Sequence, residues 1–161
     1  MINGIDHIGI AVRSLTERIP FYRDVLGLGE PEIEEVAEQQ VRTAIFHTGE
    51  SRVELLEPIE GAGPIAAFLE RHGEGIHHVA LKSEEIESDI ARVVAADLRM
   101  IDTEPRHGAG DARIAFVHPK ATGSVLLELC ERGPGHGPEH GPEHGPEHGH
   151  GPEHRRGSEH A

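Results

Sequence analysis

An α+β fold of two tandem βαβββ modules, their eight strands curled into one mixed sheet, is what this 161-residue sequence predicts. Three observations carry that reading. Ile5-Asp6-His7-Ile8-Gly9-Ile10 and Ile76-His77-His78-Val79-Ala80-Leu81 align as apolar-rich strands with a histidine at the same place. Each is followed by a helix-start signal. Each half then closes on an apolar strand carrying one glutamate, Val53-Glu54-Leu55 and Leu127-Glu128-Leu129. The separation of the two histidines nearly matches that of the two glutamates, and loops absorb the difference.

The elements follow in order. After the first strand, Ser14 and Glu17 have capping-box spacing ahead of Ile19, Tyr22 and Leu26, with Gly27 as the stop. Pro20 is expected to kink that helix or to mark its first turn. An intermediate strand is expected at Val41–His47. A linking helix follows at about 63–72, with Pro64 near its first position and Gly73 past its end. In the second half Ser83 is expected to cap the helix, ahead of Glu84 and Glu85, and Ile86, Ile90, Val93 and Val94 form its apolar stripe. Arg106–Gly110 reads as a turn, Arg113–Val117 as a strand, and His118-Pro119-Lys120 as a turn before the last strand. One domain thus spans 1–132, with modules at about 1–60 and 74–132.

Gly133–Ala161 is different in kind. It repeats Gly-Pro-Glu-His, holds seven of the 14 histidines and contains no large apolar residue. A segment that buries no apolar surface cannot offset its ordering entropy, so 133–161 is expected to be a disordered tail. A solubilising role is favoured over metal buffering.

Composition narrows the function classes. The formal net charge is −14, and the tail's five Glu against two Arg leave most of it on Met1–Arg132. Phosphate neutralisation needs clustered Lys and Arg, so neither nucleic acid nor an anionic membrane is an expected partner. Cys130 is the sole cysteine, which excludes an intrachain disulfide. No secretory pattern and no bilayer-length apolar run is evident, which predicts a cytoplasmic protein.

The matched polar residues carry the chemistry. A lone histidine or glutamate in a strand is usually a hydrogen-bonded core residue or a solvated one. Both at both equivalent positions are expensive to bury without a shared partner. Period-2 alternation in a curled sheet points His7, Glu54, His78 and Glu128 inward, while His77 is expected on the opposite face. Two imidazoles and two carboxylates suit a divalent cofactor such as Zn²⁺, Co²⁺, Ni²⁺ or Mn²⁺.

The chain also resembles a known family. Asp6-His7-Ile8-Gly9-Ile10-Ala11-Val12, Phe21-Tyr22-Arg23, Leu26-Gly27-Leu28 and Glu38-Gln39-Gln40-Val41 are similar to segments of the vicinal oxygen chelate (glyoxalase/bleomycin resistance/dioxygenase) superfamily. Glu54-Leu55-Leu56-Glu57-Pro58, Gly75-Ile76-His77-His78-Val79-Ala80 and Phe116-Val117-His118-Pro119-Lys120, followed by Val125 to Leu129, narrow the resemblance to the methylmalonyl-CoA epimerase family. It implies a metal-dependent interconversion of (2R)- and (2S)-methylmalonyl-CoA by α-proton transfer through a metal-stabilised enolate. The implied ligands are His7, Glu54, His78 and Glu128, with Glu128 and Glu54 as acid/base groups. The implied assembly is a homodimer with a small acyl-CoA substrate. A second base used in the family aligns with Thr43, which cannot serve. Lys120 and Arg113 are candidate coenzyme A contacts. The alternatives are a glyoxalase I-type lactoylglutathione lyase and a non-catalytic ligand-binding protein on the same fold.

Overall fold

The structure is a computed structural model and describes residues 1–133. All but the first residue of the expected tail lies outside the described residues. The strands are β1 (Ile2–Ala11), β2 (Glu32–Val36), β3 (Val41–Thr48), β4 (Ser51–Pro58), β5 (Gly75–Ser83), β6 (Arg106–His107), β7 (Arg113–Val117) and β8 (Leu127–Glu131). The helices are α1 (Leu15–Pro20), α2 (Gly63–His72) and α3 (Ile86–Ala95).

All eight strands form one sheet in the order β2-β3-β4-β1-β5-β8-β7-β6. β1 and β5 meet antiparallel at the centre. Outward from that seam the halves repeat: β1 lies parallel to β4 and β5 parallel to β8, and the outer pairs are antiparallel. The sheet curls into a half-barrel. Its two ends are tied by the Gly110 N–H donating to Glu34 Oε2 at 2.8 Å, and by Gln39 Nε2 donating to the His107 carbonyl at 3.1 Å.

The core is mostly aliphatic, with Phe46 and Phe116 its buried aromatic rings. Leu15 of α1 packs with Val12, Phe46 and Leu55; Ile65 and Leu69 of α2 with Ala11, Val41 and Leu56; Ile86 and Ile90 of α3 with Ala115 and Leu129. Burial of this apolar surface, at roughly 25 cal/mol per Å², holds each helix to its half of the sheet.

Local structure departs from the sequence expectations at three places. Ser14 caps α1 by accepting from the Glu17 N–H, but Pro20 is the last α-helical residue. Proline has no N–H for the carbonyl four residues back, and the chain continues as one π-helical turn, Phe21–Val25, closed by the Leu26 N–H on the Phe21 carbonyl. Ser83 does not cap α3. It ends β5, paired opposite Ile2, and its hydroxyl donates to buried Asp89 at 2.5 Å. The first N–H of α3, on Ile86, is satisfied instead by Glu131 Oε2 of β8 at 2.7 Å. Finally, Arg106–His107 is a short edge strand on β7 rather than a turn.

Candidate active site and metal centre

The concave side of the sheet encloses a cavity of about 240 Å³ whose wall includes His7, Glu54, His78 and Glu128. Each half contributes a histidine from its first strand and a glutamate from its fourth. All four are buried. Thr43 also faces the cavity and is buried, presenting only a hydroxyl.

The two imidazoles meet across the β1/β5 seam, with His7 Nε2 2.9 Å from His78 Nε2. Two lone pairs cannot face each other at that distance, so a proton or a cation must lie between them. Glu128 joins the pair, Oε2 at 3.4 Å from His78 Nε2 and Oε1 at 3.7 Å from His7 Nε2. Glu54 approaches the other nitrogen of the same ring, its Oε1 3.6 Å from His7 Nδ1. That oxygen is buried and has no hydrogen-bond partner among the described residues. The two carboxylates therefore flank His7 from opposite ends of its imidazole.

Backbone irregularities set this geometry. The β1/β5 register skips at Asp6 and again at His77, each time one residue before a site histidine. Such a bulge releases a residue from strict alternation, and in both halves the released side chain reaches its neighbour. Asp6 Oδ1 lies 2.8 Å from His7 Nδ1, and His77 Nδ1 lies 3.0 Å from His78 Nδ1. His77 lines the cavity. The expectation that it faces away from the site is corrected by the bulge. Gly9 completes the seam, because a Cβ there would stand 2.3 Å from His78 Cε1.

Electrostatics divides the site. Burial opposes protonation of His7, but Glu54, Asp6 and Glu128 outweigh it and raise its pKa. His78 is driven well below the usual range by burial, with His7 and His77 adding to the effect. Burial would raise Asp6, yet hydrogen bonds from His7 and Arg132 hold it well below the usual carboxylate range. Glu128 is pushed up to about 7, chiefly by burial and further by Glu54 and Asp6.

The donor set fits a divalent ion. Ligand atoms of His7, His78 and Glu128 lie within 4.8 Å of one another, whereas the unpartnered Glu54 oxygen lies at the other end of the His7 ring, 3.6 Å from Nδ1. Asp6, His7 and Cys130 form a second compact group. Its chemistry is poorer, because burial raises the Cys130 pKa and keeps it a thiol, and Asp6 is occupied by Arg132.

The other sequence candidates fall elsewhere. Arg113 is paired with Glu87 and with Glu131 on the outer surface. Lys120 is exposed in the turn before β8. The cations on the cavity wall are instead Arg106 and Arg132. The sequence pattern gives Asp6 and Gly9 only as parts of a motif and does not single out Arg132. The signal for Asp6 and His77 was present, since each is a polar residue directly before the matched histidine.

The family model described as Glyoxalase/Bleomycin resistance protein/Dioxygenase superfamily matches residues 6–116. The chain belongs to that superfamily. An uncharacterised Bacillus subtilis protein is 41% identical, with 81% of this chain and 93% of that one covered. The ethylmalonyl-CoA/methylmalonyl-CoA epimerase of Cereibacter sphaeroides is 34% identical over 80% of this chain and 98% of its own. Among solved structures, a variant of Streptomyces coelicolor methylmalonyl-CoA epimerase in complex with 2-nitronate-propionyl-CoA superposes with a TM-score of 0.78. It is 34% identical, with 81% of this chain and 95% of that chain covered. Among the described residues no helix is long and apolar enough to cross a membrane.

Proposed function

We propose that this chain is a metal-dependent epimerase of methylmalonyl-CoA that moves the α-proton between the two faces of C2. The observation that carries the reading is the buried meeting of two histidines and a carboxylate on the wall of one cavity, in a chain similar to named epimerases along most of its length.

His7, His78, Glu128 and Glu54 are the residues that would hold the ion. When bound, a Zn²⁺, Co²⁺, Ni²⁺ or Mn²⁺ ion supplies Lewis acidity that stabilises negative charge developing on the substrate thioester oxygen. The side chains supply proton transfer and exclusion of water. Removing a proton beside a thioester near neutral pH needs a base whose pKa lies near the working pH. Glu128, a buried carboxylate 3.4 Å from His78 Nε2 and 3.7 Å from His7 Nε2, is assigned as one acid/base. Glu54, reaching the opposite end of His7 with an unpartnered oxygen, is assigned as the other. Thr43 takes no part in proton transfer, because a neutral hydroxyl is far too weak a base. Ile65, Ile114, Phe116 and Leu126 are among the apolar residues of the cavity wall and keep bulk water from the reacting carbon. A homodimer and a coenzyme A contact at the cavity mouth complete the proposal.

The test is incubation of metal-loaded protein with (2R)-methylmalonyl-CoA in deuterium oxide. The expected result is deuterium at C2 together with an equilibrium mixture of epimers. Absence of both with ion bound contradicts the proposal, and turnover of methylglyoxal with glutathione in a parallel reaction would favour the glyoxalase I-type alternative.

A further inference from the structure

Arg132 lies just past β8 and its side chain is only 8% exposed. Its guanidinium engages three parts of the molecule at once. Nε and Nη2 donate to Asp6 at 3.0–3.2 Å, and Nη1 donates to the Ala109 carbonyl at 3.0 Å. Nη2 also stands 3.6 Å from Glu54 Oε1. Asp6 in turn accepts from His7 Nδ1 at 2.8 Å. The backbone is shaped around this contact, since Gly110 has φ +63° and a Cβ there would meet Arg132 Nη1 at 2.9 Å.

We propose that Asp6 and Arg132 are positioning residues for the reaction centre, Asp6 fixing the His7 ring with Nε2 turned to His78 and Glu128, and Arg132 coupling that ring to the Gly108–Ala112 turn that roofs the cavity. The inference rests on the metal-site part of the function proposed above. A carboxylate accepts but does not donate, so Asp6 pins the His7 proton on Nδ1 and leaves Nε2 for the ion. The planar guanidinium fork spans Asp6 and the Ala109 carbonyl together, which a lysine ammonium cannot reproduce. It also balances one of the three carboxylates that converge on the site. A salt bridge that merely stapled β8 to β1 would make none of these demands on the imidazole or on the turn.

The experiment uses the full chain and Zn²⁺ alone, so it does not depend on acyl-CoA turnover. Zn²⁺ bound at this site is taken as the fraction lost in His7→Ala, which leaves the tail histidines out of the comparison. Asp6→Asn and Arg132→Gln are each expected to weaken that fraction by about 10- to 100-fold. Arg132→Gln is also expected to speed amide exchange at Gly110–Ala112, and Arg132→Lys to recover affinity only in part. Folded variants with wild-type affinity and exchange would overturn the proposal. ¹⁵N NMR of the Zn²⁺-loaded wild-type chain tests it even if the variants do not fold. A His7 ring protonated on Nδ1 with Zn²⁺ on Nε2 supports it, and the reverse arrangement, or a His7 ring free of Zn²⁺, overturns it.

Discussion

The two halves of the sheet use one backbone device and fill it with opposite chemistry. In each, a bulge in the β1/β5 seam brings the residue before the site histidine against that histidine's Nδ1. In the first half that residue is Asp6, an anion locked by Arg132, and His7 is raised. In the second it is His77, whose own pKa burial lowers to about 4, and His78 is driven down. The first half thus presents an imidazole that attracts positive charge, and the second an imidazole that stays neutral. Duplication supplies the scaffold, and the divergence at one position per half makes the site asymmetric.

The carboxylates give the largest test of that asymmetry. Glu128→Ala is expected to lower turnover by at least 10²–10⁴-fold, the usual contribution of a general acid or base, measured as epimer conversion. Glu54→Gln keeps a ligand oxygen and loses the base. It is expected to slow epimerisation by about 10²-fold while one epimer still exchanges its α-proton with solvent, because Glu128 remains. Equal loss of exchange from both epimers would mean that the halves do not divide the proton transfers.

A smaller effect is expected at the seam. Gly9→Ala places a methyl group where the His78 ring lies, an overpacking that is expected to cost about 1–3 kcal/mol in melting stability and to displace a proposed ligand. Gly4→Ala on the same strand is the control, since its nearest neighbour is the Lys82 aliphatic stem at 3.8 Å. If both variants bind metal and melt alike, the Gly9–His78 contact does not position the ring.

The smallest expected effect is a slope with pH. Glu128 titrates at about 7 in the metal-free fold, above its ordinary value of 4.5. Between those values the folded chain keeps a proton that the unfolded chain releases. The favourable contribution is therefore full below about 4.5 and declines as pH rises toward 7. Metal-free Glu128→Gln is expected to flatten that part of the melting profile. A profile identical to that of the unsubstituted chain would contradict the origin assigned to the raised value.

Much of this was legible in the residues. The matched His/Glu strands, the linking helix with Pro64 and Gly73, and the Ser14 cap all follow from local chemistry, and the structure has them. The bulges were not legible, because alternation assumes an unbroken ladder and nothing in Ile5-Asp6-His7 or Ile76-His77-His78 forces a skipped pair. For that reason alternation puts His77 on the wrong face, and Asp6 stands out only as part of a motif. Arg132 was illegible for a different reason: it is distant in sequence from Asp6 and meets it only when β8 and β1 come together across β5. The cap of α3 by Glu131 is a long-range contact of the same kind.

The central claim, that residues from both halves hold one ion, is tested most directly by anomalous X-ray scattering from crystals loaded with Zn²⁺ or Co²⁺. The expected result is a peak at bonding distance from His7 Nε2, His78 Nε2 and a Glu128 oxygen, with Glu54 completing the set. A peak among Asp6, His7 and Cys130, or none between the two histidines, would contradict it.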